Sequence, residues 1–157
     1  MADPLALLTA DAVRLQCTAT DRFDAVRQAG ELLVAMKAVE PDYVEAMIQR
    51  ERLLSSFVGE GFAIPHGTDD ARALVRRAAL AFLQFPDGID WEGQEVRACV
   101  AIAAAENEHV AVMSRLARVL MARDQAEELR TTTDPERVLE LLMPQPDDVP
   151  QPQKETL

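Results

Sequence analysis

A chain of 157 residues, 48% of them hydrophobic, is long enough for one domain with its own core and needs no covalent staples. Its 27 acidic against 16 basic side chains give a formal charge of −11, a surface that repels phosphate backbones and anionic lipid and argues against nucleic-acid or membrane-surface roles. At 4% aromatic residues the chain also lacks a base-stacking platform.

In chain order, Val13-Arg14-Leu15-Gln16-Cys17 alternates apolar and polar and predicts a short half-buried strand. Thr20 or Asp21 then caps a helix whose positions Phe23, Val26, Ala29, Leu33 and Met36 share one face. Pro41 opens a second helix carrying Val44, Met47, Ile48 and Leu54. Gly59 and Gly61 break that pattern, and Phe62-Ala63-Ile64 is a brief strand ending at Pro65. The runs Ala78 to Leu83 and Val96 to Ala104 are apolar on both faces, Arg97 excepted, as suits central strands covered by helices on both sides. Between them Pro86-Asp87-Gly88 predicts a turn, because Pro fixes φ and Gly accepts a positive one. Asn107 can cap a helix with the stripe His109, Val112, Met113, Leu116 and Leu120. A short helix through Leu129 and another from Asp134-Pro135 to Leu142 follow.

Helices before, between and after two buried strands predict an α/β fold with a single mixed β-sheet flanked by helices on both sides, since no uniform β-α-β alternation is present. Residues 1–143 form the expected domain; 144–157, rich in proline, acids and glutamine, are expected to be a disordered tail. Cys17 and Cys99 each sit in an apolar run and read as buried thiols of a reducing compartment. The opening residues lack the basic n-region of a secretory signal, and no apolar run reaches bilayer length, so a cytoplasmic protein is expected.

His66 stands in Gly61-Phe62-Ala63-Ile64-Pro65-His66-Gly67-Thr68, at the end of a strand. Pro65 stiffens the approach, and Gly67 removes a side chain beside the imidazole so that a large group could come close. Backbone N–H groups after Gly67, with the Thr68 hydroxyl, could form an anion nest. By residue type alone a turn histidine without a role is as good a reading. His109 tops its helix stripe in the first turn, where anions are favoured, although a satisfied core histidine is the commoner meaning of that position. Arg50 shares a face with Met47 and Leu54; it could reach a site as a phosphate fork, or snorkel, or pair with Glu51 or Glu40. No phosphate loop, dinucleotide fingerprint, nucleophile elbow or zinc helix occurs, and the two histidines are not at helical ligand spacing, so neither a metal nor a cofactor is expected.

The segments Glu40-Pro41-Asp42-Tyr43-Val44-Glu45-Ala46-Met47, Arg50-Glu51-Arg52-Leu53 and Gly59 through Thr68 resemble the enzyme IIA domain of the mannitol and fructose class of sugar phosphotransferase systems. The resemblance continues through Gln84-Phe85-Pro86-Asp87-Gly88, Ile102 through His109 and Thr131-Thr132-Thr133-Asp134, in the same order from about Leu5 to Leu142. It implies a phosphotransferase with a phosphohistidine intermediate: His66 accepts phosphate from phospho-HPr, with His109 and Arg50 as the other active-site residues. It further implies transfer to a cysteine of a IIB component and thence, through a membrane IIC permease, to a sugar, with mannitol the nearest subclass. Both partners are expected in trans, and Glu60 matches an acidic position of no assigned role. Ile89-Asp90-Trp91-Glu92-Gly93-Gln94 departs from the family pattern. The alternative is a regulatory protein of the same fold whose His66 phosphorylation a partner senses; growth on mannitol after deletion separates the two. A surface around His66 shared by donor and acceptor should be apolar, with Phe62 and Phe57 as candidates.

Overall fold

A computed structural model describes residues 8–104 and 109–142, the side chains of 109–112 excepted. After a 3-10 turn at Ala10–Ala12, the chain forms β1 (Val13–Arg14), α1 (Arg22–Ala35), α2 (Asp42–Leu53), β2 (Phe57–Gly59) and β3 (Phe62–Ala63). A 3-10 helix, Asp69–Leu74, leads to β4 (Ala79–Trp91) and β5 (Gln94–Ala103). The last three elements are α3 (His109–Met121), α4 (Arg123–Thr131) and α5 (Pro135–Leu142). The strands make one sheet in the order β1-β4-β5-β3-β2. β1 runs parallel to β4 and β3 parallel to β5, whereas β4–β5 and β2–β3 are antiparallel. The sheet is mixed, as the element order implies.

Strand pleating divides the two central strands between two cores. Ala79, Ala81 and Leu83 of β4, with Cys99, Ala101 and Ala103 of β5, pack against α1 and α2 through Val26, Ala29, Leu33 and Met47. Leu80 and Phe82, with Ala98, Val100 and Ile102, pack on the other face against Leu116, Val119, Leu129, Val138 and Leu141 of α3, α4 and α5. This explains why both strands read as apolar throughout: neither face meets water. Phe62, Phe82 and Phe85 are among the largest fully buried side chains, each contributing roughly 1.5–3 kcal/mol by transfer from water.

Asp21 caps α1, its carboxylate accepting from the Asp24 amide at 2.8 Å. The first strand is shorter than its alternation suggests: regular pairing with β4 ends at Arg14, Gln16 takes a positive φ of 58°, and the Cys17 amide then bonds the Gln84 carbonyl of β4 at 2.8 Å. The larger difference lies at Pro86-Asp87-Gly88. These residues do not turn the chain; β4 continues through them to Trp91, and pairing passes from Gln84–Ala98 to Ile89–Val96, so that Phe85 to Gly88 oppose Arg97 alone. The Pro–Gly chemistry serves a bulge, where the missing N–H of Pro86 and a positive φ (81° at Gly88) are both accommodated. The hairpin turn is instead Glu92-Gly93, both with positive φ (57° and 91°), the requirement of a tight two-residue connection. The departing segment 89–94 therefore builds the far end of the central hairpin and buries Trp91 completely.

Candidate functional site

His66 follows β3 by three residues, beside the C-terminal end of β5, and is half-buried. Three hydrogen bonds, running through Ile102 and Tyr43, hold the peptide groups on either side of it. The Ile102 amide donates to the Pro65 carbonyl at 3.0 Å. The Gly67 amide donates to the Tyr43 hydroxyl at 2.9 Å, and that hydroxyl donates to the Ile102 carbonyl at 3.3 Å. One strand-end residue of β5 and one tyrosine of α2 thus clamp the loop on both sides of the histidine. Burial pushes the Tyr43 phenol above its ordinary range, although the Gly67 amide and the Arg72 charge act the other way. The phenol stays protonated, as its bond to a carbonyl requires.

The imidazole is oriented as firmly as its backbone. His66 Nδ1 lies 2.9 Å from the Ile64 carbonyl. A carbonyl oxygen only accepts, so Nδ1 carries the ring proton and Nε2 keeps the lone pair of the neutral ring. Nε2 is the ring atom left free to act as a nucleophile. Ile64 is itself fixed, its amide donating to the Ser56 carbonyl at 3.0 Å. His66 lines a cleft of about 240 Å³ with Tyr43, Gly67, Thr68, Arg72 and Met113 among its walls.

Gly67 has a different purpose from the one its neighbours suggest. A Cβ there would lie 2.6 Å from the Tyr43 ring, so its missing side chain admits the tyrosine rather than an incoming group. Its amide is also occupied by Tyr43, which removes it from any anion nest. Tyr43 is the residue of the His66 loop's surroundings that residue-type reasoning passed over. Its signal was present, an aromatic in the first turn of α2 one residue from the core stripe, but the partner that gives it meaning is fixed only by the fold.

The other expected site residues are placed unevenly. His109 is the first residue of α3; its side chain lies outside the described residues, as does Asn107. Arg50 occupies the last turn of α2, where its Nη1 donates to the Leu54 carbonyl at 2.7 Å, and it is not among the cleft's walls. It pairs with neither expected acid: Glu40 is joined to Arg76 in a close ion pair, and Glu51 belongs to a separate buried network. The Glu51 carboxylate is 2% exposed. It accepts from Ser56 Oγ at 2.6 Å and Trp91 Nε1 at 2.8 Å, and lies 3.8 Å from Arg22 Nε. Glu60 sits in the β2–β3 turn with a positive φ of 53°, its carbonyl accepting from Arg130. Phe62 is fully buried in the core beneath α3–α5 and offers nothing to a docking partner; an inward pleat position, not an exposed one, follows Gly61. Phe57 is half-buried. The exposed large apolar side chains among the described residues are Leu53, Leu54, Val58 and Met121. Cys99 is buried and Cys17 only half-buried, and both are free thiols. No cluster of metal-ligating side chains occurs among the described residues, and none of their helices is long and apolar enough to cross a membrane.

A single mixed sheet thus holds one histidine, fixed in tautomer, just beyond the end of β3. Residues 6–144 match the family described as "Phosphoenolpyruvate-dependent sugar phosphotransferase system, EIIA 2". The chain belongs to this family. It is 46% identical over 132 residues to a multiphosphoryl transfer protein of Xanthomonas campestris pv. campestris, covering 83% of this chain but 16% of that protein. The chain therefore spans about a sixth of the length of that relative. It is 35% identical to the mannitol-specific phosphotransferase enzyme IIA component of Halalkalibacterium halodurans, over 87% of this chain and 94% of the relative. Its fold matches a chain in the complex of enzyme IIAMTL and phosphorylated enzyme IIBMTL from Escherichia coli. The TM-score is 0.80 and the identity 38%, over 87% of this chain and 98% of the other.

Proposed function

We propose that this protein is a phosphoryl carrier of a sugar phosphotransferase system, taking phosphate from phospho-HPr onto His66 Nε2 and passing it to the cysteine of a IIB component. A IIC permease in trans completes the route, mannitol is the sugar, and the protein works in the cytoplasm. The observation that carries the reading is the bond from His66 Nδ1 to the Ile64 carbonyl at 2.9 Å. It places the proton of the neutral ring on Nδ1 and leaves the lone pair that attacks on Nε2.

In the transfer, the Nε2 lone pair forms a new N–P bond while the P–N bond of the donor breaks and its electrons return to the donor nitrogen. The proton on Nδ1 does not move. The product ring is cationic, and the Ile64 carbonyl dipole stabilises that charge through the same hydrogen bond. A cationic phosphoimidazole is a good leaving group, so the group can pass on to a thiolate without metal or nucleotide. The transition state is loose, and catalysis rests on position and on charge around the equatorial oxygens. The clamp from Ile102 and Tyr43 supplies the position. For the charge we assign His109, from the first turn of α3, as a hydrogen-bond donor to those oxygens. Arg50 is assigned as a second cation once it leaves the Leu54 carbonyl. The family membership and the mannitol-specific IIA relatives support the phosphoryl-carrier reading.

The test is incubation with phospho-HPr followed by intact mass over time. Wild type gains one phosphoryl group, labile in acid and persistent in base. His66→Ala gains none, because its nucleophile is gone. His109→Ala gains one slowly, since loss of one oriented donor costs about 2.7–4 kcal/mol in the barrier. Phosphate on His66→Ala, or none on wild type, overturns the proposal.

A further inference from the structure

Among the described walls of the His66 cleft, Arg72 is the one side chain with a permanent positive charge. It belongs to the 3-10 helix Asp69–Leu74, which starts one residue beyond Thr68, so the loop that carries the nucleophile also delivers the cation. Arg72 is close enough to Tyr43 for its charge to act on the phenol that holds Gly67. Its ion-pair partner Asp69 is 3.6 Å from Nη2, and the two side chains are 58% and 99% exposed. An exposed pair at that separation contributes little and does not hold the guanidinium against a better partner. Arg50, by contrast, rests on the Leu54 carbonyl at 2.7 Å and lies outside the cleft walls.

We infer that Arg72 is a phosphoryl-binding residue of the His66 site, leaving Asp69 to bring its guanidinium fork onto the non-bridging oxygens as the group arrives on Nε2. This rests on the phosphoryl-carrier reading and adds to it a contact from the loop side of the cleft. Two features of the chain fit the assignment. The chain is strongly acidic, and Asp69 stands at the same cleft, so an incoming dianion meets repulsion that a local cation must offset. A guanidinium matches two phosphoryl oxygens at once, which a lysine ammonium cannot do.

The experiment compares wild type, Arg72→Gln, Arg72→Lys and Arg76→Gln, the last being an exposed arginine in the next segment that pairs with Glu40 instead. Single-turnover transfer from phospho-HPr is measured against donor concentration, with melting temperature and the phosphorus NMR resonance of the adduct. Arg72→Gln is expected to lower the limiting rate by about ten- to a hundredfold, the half-saturating donor concentration and the melting temperature staying near wild type. It is expected to move the phosphorus resonance as well, with Arg72→Lys recovering part of both effects and Arg76→Gln matching wild type. Wild-type rates and an unmoved resonance in Arg72→Gln overturn the assignment while leaving His66 as the acceptor. Equal losses in Arg72→Gln and Arg76→Gln also overturn it, since they point to general charge steering of HPr. Absence of phosphate on wild type overturns the carrier reading itself, and Arg72's role with it.

Discussion

Removing one oxygen from Tyr43 isolates the clamp on His66 from everything else in the core. Tyr43→Phe keeps the ring that fills the space beside Gly67, so the packing that forbids a Cβ there survives. Two hydrogen bonds are lost. The Gly67 amide loses its acceptor at 2.9 Å in a buried position, and the Ile102 carbonyl loses a donor at 3.3 Å, a long bond for a hydroxyl. Leaving a buried donor unsatisfied costs about 1–3 kcal/mol, and the weaker bond adds little, so a stability loss of about 1–3 kcal/mol is expected. The catalytic effect is separate. With Gly67 released, His66 is held on the Pro65 side alone, and a misplacement on the order of 1 Å costs up to about a hundredfold in rate. Transfer to Tyr43→Phe should therefore slow by about ten- to a hundredfold while uptake still reaches one phosphoryl group. Stability is read from urea unfolding followed by Trp91 fluorescence, rate from single-turnover mass measurements, and the clamp itself from hydrogen exchange at the Gly67 amide. Wild-type transfer together with faster Gly67 exchange would show that the clamp is structural only. Unchanged exchange would show that the amide finds another partner and that the reasoning fails at its first step.

Glu51→Ala strips acceptors from Ser56 and Trp91 and leaves Arg22 facing a buried void, so a loss of about 3–5 kcal/mol is expected, measurable by urea unfolding. Because Trp91 is the only tryptophan, its emission should also shift on loss of that bond in the native state. Burial pushes the Cys99 thiol well above its ordinary value of 9.0. The folded state thus favours the protonated form, so this contribution is complete at neutral pH and declines as pH rises past the unfolded value, by about 1.4 kcal/mol per pH unit. Unfolding free energies between pH 8 and 11 should fall less steeply for Cys99→Ala than for wild type; equal slopes would show that the thiol has no part in alkaline loss.

The fold is legible in the sequence where one pattern has one meaning. The apolar runs Ala78 to Leu83 and, Arg97 excepted, Val96 to Ala104 suit doubly covered strands and form them, and of the two candidate caps of α1 it is Asp21 that bonds the Asp24 amide. Legibility fails where one local chemistry serves two geometries. Pro86-Asp87-Gly88 meets the demands of a turn and of a bulge equally, and the choice is made by Trp91, which must reach the Glu51 carboxylate 2.8 Å away. That bond requires β4 to run on past the glycine. Gln84 is similar: a polar residue between apolar ones, it looks solvated, yet it is buried and its amide donates to the Leu129 and Thr132 carbonyls at 3.1 and 2.8 Å, closing the end of α4.

At the site the same logic separates what a residue is from what it is held by. That His66 stands in a turn at a strand end is legible from Pro65 and Gly67, although Gly67 proves to make room for Tyr43. The tautomer of His66 is not, because the Ile64 carbonyl reaches Nδ1 only when the Ile64 amide is already bonded to Ser56 and the loop has begun to leave the sheet. Nor is the bracket at Ile102, a residue thirty-odd positions away that reads in sequence as one more apolar strand position. Its side chain belongs to the core beneath α3–α5, while its amide and carbonyl hold the two peptides flanking the histidine. A strand end has backbone groups left over when its ladder stops, and a buried end must satisfy them. Here they are satisfied by Pro65 and Tyr43, so the requirement that closes the sheet is the same one that fixes the His66 loop.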